Sequence, residues 1–418
     1  MSIFPRMAKI KLRFETPEIS DVCGELLKQL QNNSIEIKKD SRIGIAVGSR
    51  GIHKIHEMVR VVIKFLQEKG AQPIIIPAMG SHGGATAAGQ KEVLAGYGIS
   101  EEEMGVPVQA SMETICVGYI NKNIPVYFDK VASEMDGIIL MNRVKPHTDY
   151  HAEYESGLMK QMAIGLGNHK GAQNIHSYGI YGLQKLIPES ACLILEKMPV
   201  IMGIAIVENA NDRTAEIHVL NAKEIPEKEP ELLKKAKELM PYIPFTDIDL
   251  LVVEETGKNI SGVGIDPNIT GRTFIRFGKD EGHINLRRIV CLDLTPESHG
   301  NALGIGIVDV IPRRLYDKVD FEVTYANVIT SGFLERGFTP IVQENDYKAM
   351  EVALQCCGRK ITPENARILQ IKNTLQLEEM FVSVPLLKEI RCDISWEKVE
   401  EFSYQFSGEG ELLNLLKS

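Results

Sequence analysis

Short continuous apolar runs alternate with helix-period segments through the first half of the chain. Ile43-Gly-Ile-Ala-Val47, Pro73-Ile-Ile-Ile-Pro77 and Asp136-Gly-Ile-Ile-Leu-Met141 present almost no polar face to water. Such runs predict strands buried on both sides, as parallel strands are when helices cover them. Between the first two, Met58, Val61, Val62, Phe65 and Leu66 recur at three-and-four spacing and predict an amphipathic helix that Gly70 ends. A second helix is expected from near Thr86 to near Gly96, and Ile124-Pro-Val-Tyr-Phe128 reads as a further strand. This βαβα alternation predicts an open parallel sheet with helices on both faces.

Beyond residue 180 come the apolar stretch Met198–Val207 and a charged helix from Glu227 to Met240. The rhythm then restarts with Asp249-Leu-Leu-Val-Val253, a Gly-rich loop, and Ile289-Val-Cys-Leu292. The expected organisation is α/β with two domains, each a mainly parallel sheet flanked by helices, and an active site in the cleft between them. Residues 1–245 form the first domain and 246–395 the second, with 396–418 expected to pack back on the first. A length of 418 residues agrees with two or three domains of about 150 residues each.

Composition narrows the classes of partner. With 47 basic against 56 acidic residues the net charge is −9, so no general basic field exists for nucleic acid or an anionic membrane. Seven Cys are scattered with no CxxC pair, which argues against a disulfide framework or a thiolate zinc site. Met198–Val207 is the longest apolar stretch and falls short of the ~20 residues a membrane helix needs. The N-terminus has no apolar signal core, so the cytoplasm is the expected location.

In open α/β sheets ligands sit beyond the carboxyl ends of the strands. The loops expected there are Gly48-Ser-Arg-Gly51, Gly80-Ser-His-Gly-Gly-Ala-Thr86 and Asn142-Arg-Val-Lys-Pro-His-Thr148. They bring Arg50, His82 and His147 to one edge. Two imidazoles there suit general acid–base work, because His titrates close to neutrality, or a metal, as neutral ligands. Lys160 lies among apolar and small residues, where it either snorkels to water or is desolvated and nucleophilic. Gly165, Gly167 and Gly171 would let backbone amides approach a phosphate, with Lys170 as countercharge, although their spacing is not the dinucleotide fingerprint. In the second domain, Lys258, Asn259, Asp266, Asn268 and Arg272 follow a buried strand. They either line a site for a polyhydroxylated or carboxylated ligand or build a turn-rich loop. His299 is a lesser candidate for the same place. Neither GxSxG, a Walker A loop nor HExxH occurs, so those hydrolase and nucleotide signatures are absent.

Taken in order, Gly48-Ser-Arg50, Gly80–Thr86, Asn142–His147, Glu155-Ser-Gly-Leu-Met-Lys160 and Ile175-His176 resemble the lactate racemase family. The resemblance covers most of 40–220. It implies a two-domain α/β isomerase that inverts the carbinol carbon of a 2-hydroxy acid by hydride transfer to and from a nickel-pincer nucleotide. That cofactor, pyridinium-3,5-bisthiocarboxylic acid mononucleotide nickel, is tethered through a thioamide to a lysine. Carried over by position, Arg50 resembles the carboxylate-binding arginine and His82 and His147 the paired acid/base histidines. Lys160 resembles the tether and His176 the nickel ligand, with His169 and His151 as rivals of His176 and His147. Gly165, Gly167, Lys170 and Gly171 are assigned to the nucleotide phosphate. Enzymes that build the cofactor are implied as partners. The loops around Arg50 and at Asp266–Arg272 depart from the family's pattern, which points to a larger or more hydroxylated acid than lactate. The alternative is a family member that has lost the racemase activity and binds a carboxylated ligand or acts on one without redox chemistry.

Overall fold

The computed structural model describes residues 3–49, 51–276, 284–391 and 394–416. Two compact units emerge: residues 15–240, and residues up to 14 together with those from 241 onward. In chain order the strands are β1 (Arg6–Arg13), β2 (Arg42–Val47), β3 (Gln72–Pro77), β4 (Thr114–Ile120), β5 (Ile124–Asp129), β6 (Gly137–Arg143), β7 (Val200–Glu208) and β8 (Thr214–Asn221). The unit of residues 15–240 holds a five-stranded sheet in the order β3-β2-β6-β7-β8. Its first four strands are parallel and β8 runs antiparallel to β7. The three expected apolar runs are β3, β2 and β6, side by side. Ile124–Asp129, expected in the same rhythm, instead pairs with β4 as a separate antiparallel hairpin.

Helices cover both faces, as the two-sided burial of these strands requires. Leu26 and Leu30 of α1 (Val22–Asn32) and Met58, Val62 and Leu66 of α2 (Ile55–Glu68) pack on Ile43, Ile45, Ile139, Met202 and Ile204. On the opposite face Gly203 admits the Lys160 turn and the Ile225–Glu238 helix. A Cβ at Gly203 would stand 2.6 Å from Leu158 and 2.9 Å from Ile225, distances no packed carbon tolerates.

The second unit contains β9 (Asp247–Thr256), β10 (Asn285–Leu294), β11 (Val310–Pro312), β12 (Ile341–Gln343), β13 (Ile368–Ile371), β14 (Glu379–Ser383) and β15 (Ser395–Ser403). Its eight-stranded sheet runs β12-β11-β10-β9-β13-β14-β1-β15. The first five are parallel, and β14, β1 and β15 extend the sheet in antiparallel fashion. The boundary thus falls after 240 rather than 245, and two expectations change. Residues 6–13 belong to the second unit. The segment from 396 also stays there, because Trp396 pairs opposite Leu12 and Phe402 opposite Met7. Tyr404 and Phe406 pack on Phe4 at centroid distances of 5.7 and 5.5 Å, and Leu412 and Leu416 are buried in the same core. Apolar burial at both ends of the chain closes this sheet's antiparallel side. Among the described residues no helix is long and apolar enough to cross a membrane.

Candidate functional site

The register of the first sheet fixes where its loops emerge. Val47 at the end of β2 lies level with Pro77 of β3 and Met141 of β6. The segments that follow all three therefore leave from one edge. Arg50 lies outside the described residues. Its neighbour Ser49 is held by Tyr97, whose hydroxyl donates to the Ser49 carbonyl at 2.7 Å. His82 is exposed and begins a turn with three consecutive positive φ values, Gly83 at 65°, Gly84 at 63° and Ala85 at 55°. Gly83 is needed doubly, since a Cβ there would also meet the Gln90 nitrogen at 2.5 Å. The left-handed Ala85 is strain of the kind that gathers at functional loops.

A buried carboxylate holds the backbone of the His147 loop. The Glu155 side chain is fully buried and accepts the His147 backbone N–H at 2.7 Å and that of Ala152 at 3.3 Å. His151 lies 3.4 Å and the Lys237 ammonium 2.6 Å from its Oε1. Burial alone would raise the Glu155 pKa, yet His151, Lys237 and the His147 N–H outweigh it and hold the carboxyl below its ordinary value. The His147 ring stacks at 4.6 Å on Tyr150. Its Nδ1 accepts the Asp149 N–H at 3.1 Å and stands 3.8 Å from the Asp149 carboxylate, which leaves the proton of the neutral ring on Nε2. Glu155→Ala strips acceptors from the loop's N–H groups, a loss of ~1–3 kcal/mol. The expected result is a thermal midpoint lower by several degrees and faster amide exchange at 147–152. Because the folded pKa is depressed, this contribution is complete above the ordinary carboxyl range and disappears as pH falls through the lowered value. The wild-type loop should thus loosen in acid, and the Glu155→Ala loop should not respond there.

Lys160 lies in the turn Leu158–Lys160, which continues into a wide π-helical turn, Gln161–Gly165, and then the Asn168–His176 helix. Interruptions of this kind recur at functional sites. The buried Gln161 amide donates to the Ala46 carbonyl at 3.1 Å and the Met141 carbonyl at 3.0 Å, the ends of β2 and β6. The Gly80 N–H donates to the Gly165 carbonyl at 3.0 Å, which ties the His82 loop to the same turn. Lys160 is thereby anchored to the three strand ends that carry the other candidates. Lys160 and His176 are both half-buried. Burial, with the Lys160 ammonium as second cause, pushes His176 down to about 4, so its imidazole is neutral around pH 7.

The glycines have a different role from the one expected. A Cβ at Gly165 would stand 2.6 Å from the Ala78 carbonyl oxygen and one at Gly167 2.5 Å from that of Ala163. The Gly171 N–H is spent on the Gly167 carbonyl, and Gly171 abuts Tyr127. All three bring backbone segments together inside the protein and leave no open cradle for a phosphate. Lys170 is exposed, with its ammonium 4.4 Å from the Tyr127 ring centroid. His169 is exposed as well, unlike His176.

In the second unit the structure separates the five polar candidates. Arg272 is a clamp on the opposite edge of the sheet: it pairs with Asp309 and donates to the carbonyls of Ile307, Leu286 and Arg287, near the start of β10. Asp266 caps the following helical turn by accepting the N–H and side-chain amide of Asn268, both at 2.9 Å. Lys258 and Asn259 lie beyond the carboxyl ends of β9 and β10, where Asn259 accepts the Thr295 hydroxyl at 2.7 Å and the Lys258 ammonium donates to Gly262, and the Asp266 N–H donates to the Thr374 hydroxyl at 3.0 Å, just past the carboxyl end of β13. His299 is exposed in a left-handed turn. Sequence reasoning missed Glu155, Gln161 and Glu229 as organisers. Glu229 had a legible signal, because Ile225, Glu229, Leu232, Leu233 and Ala236 form one buried helical stripe with a carboxylate in it.

Fold and geometry define a two-unit α/β chain in which the segments carrying His82, His147 and Lys160 are tied to one edge of a mainly parallel sheet. Residues 26–184 match the family model of the lactate racemase N-terminal domain, so this part of the chain is similar to that domain. The lactate racemase apoprotein from Thermoanaerobacterium thermosaccharolyticum shares the fold at a TM-score of 0.56 and 12% identity, over 88% of this chain and 99% of that one. No curated protein matches the chain.

Proposed function

We propose that the chain is a racemase or epimerase that inverts the carbinol carbon of a 2-hydroxy acid and carries a nickel-pincer nucleotide on Lys160. The observation that supports it most is the anchoring of the Lys160 turn, through Gln161 and Gly165, to the strand ends that bear His82 and His147. The side chains present fit the group at its two attachments. Lys160 is a half-buried amine, and acylation would remove its charge. His176 is a neutral imidazole beside it, ready as a nitrogen donor to a metal. Gly165, Gly167 and Gly171 do not fit a phosphate, and no role toward the nucleotide is assigned to them. Among the described residues no cluster of three or more His, Cys, Asp or Glu side chains could hold a metal.

Bound, the group would take up and return the carbinol hydrogen as hydride. The chain's own residues do the rest. Arg50, by its place after β2, would hold the substrate carboxylate in a bidentate pair. One of His82 and His147 would accept the hydroxyl proton as the carbinol is oxidised, and the other would return a proton on reduction. The departures from the family's pattern around Arg50 and at Asp266–Arg272 point to a larger or more hydroxylated acid than lactate. The test is a panel of chiral 2-hydroxy acids and aldonates offered to chain isolated from a source that makes the cofactor. Inversion of at least one is expected, with none by chain lacking the adduct. A loaded chain that binds such acids without inverting any would favour the binding-protein alternative.

A further inference from the structure

We propose that Glu229, on the Ile225–Glu238 helix, is the positioning residue for Lys160. As a statement about the reaction it rests on the reading of Lys160 as the tether. As a statement about the fold it rests on distances. Glu229 Oε2 accepts the backbone N–H of Leu158 at 2.7 Å and of Met159 at 3.0 Å, the two residues before Lys160. These are first-turn donors with no partner within their own helix, and a carboxylate is the strongest acceptor they could meet. The contact is close enough to dictate the sequence beside it. At Gly157 a Cβ would stand 2.5 Å from Glu229 Oε1, so only glycine lets the chain pass the carboxylate.

The Lys160 backbone is thus pinned from both sides. Glu229 holds the two residues before it, and Gln161 ties the residue after it to β2 and β6. Glu229 is 1% exposed, and its Oε1 is buried without a hydrogen-bond partner among the described residues. Burial pushes this carboxyl up to about 7 against the opposing pull of both N–H groups. A buried carboxyl with an idle oxygen is a poor choice for stability alone, where a well-packed apolar side chain would serve. Its use is to fix the turn from which the amine projects. The same helix also sends Lys237 to Glu155, so one element braces the Lys160 turn and the His147 loop together.

The experiment is competitive labelling of the full, cofactor-free chain with an amine-acetylating ester, read by peptide mass spectrometry. Lys160 is compared with the exposed Lys64 and Lys122 in the same molecule. Glu229→Gln keeps the acceptor and should leave the Lys160 ratio near wild type. Glu229→Ala should change it about fivefold, the factor that loss of a helix cap gives. Gly157→Ala, which forces the carboxylate aside from the other side, should do the same and decides the matter if Glu229→Ala fails to fold. A purely structural role would lower the thermal midpoint and leave the ratio in the folded fraction unmoved, and that result overturns the proposal, as does a Gln variant that behaves like Ala. If the ratio responds but Lys160 never acquires the cofactor, the tether reading fails and the positioning stands. If the adduct forms and the ratio is inert, the reverse holds.

Discussion

Lys160→Ala is expected to abolish the covalent adduct and with it all turnover. Chain expressed alongside the cofactor-building enzymes should show the adduct by intact mass, mapped to the Lys160 peptide, and the variant should show the bare mass. Lys160→Arg should fail equally, since a guanidinium stays protonated and cannot form the thioamide. His176→Ala separates tether from metal: it should keep the adduct and hold far less than the about one nickel per chain expected of a site that donates a single imidazole. Burial, the larger cause of the lowered His176 pKa, persists when Lys160 is acylated, so protons should compete little with nickel around pH 7. His169→Ala, by contrast, removes an exposed ring and should alter neither readout. An adduct on another lysine would end the assignment.

How much of this was legible depended on where the information lies. The strands β2, β3 and β6 announce themselves because a strand buried on both faces cannot hide its composition. Their ends then locate His82 and His147 by topology alone. β15 could not be read this way: Ser395–Ser403 is largely exposed along its length, so no apolar face marks it. β1 is apolar enough at Met7, Ala8, Ile10 and Leu12, but its partners β14 and β15 lie more than 365 positions away in sequence, and no local pattern encodes such pairing. The glycines misled for a related reason. A glycine that admits a ligand and a glycine that admits the next turn of chain are the same letter, and only the 2.6 Å from Gly165 to the Ala78 carbonyl oxygen tells them apart. Arg272 shows the converse, a charge in a ligand-like loop that the fold uses to fasten its own carbonyls.

His147→Ala and His82→Ala should each lower turnover by about 10²-fold or more while the adduct on Lys160 forms normally. Inversion needs the hydroxyl proton removed as the carbon is oxidised and a proton returned on reduction, so each imidazole is engaged in every cycle. Loss of one cannot be covered by the other if the two serve opposite faces of the substrate. Combining the substitutions should therefore cost much less than the product of the separate losses, since the first already disables the cycle. The effect should fall on kcat more than on KM, because the expected carboxylate contact belongs to Arg50. His147 carries a second check that His82 does not. Its loop is set by Glu155 through the 2.7 Å bond to the His147 N–H, so Glu155→Ala should reproduce part of the His147→Ala loss and add little on top of it. Steady-state inversion assays on the loaded single and double variants measure all of this, and undiminished turnover in both His82→Ala and His147→Ala would remove the acid/base assignment.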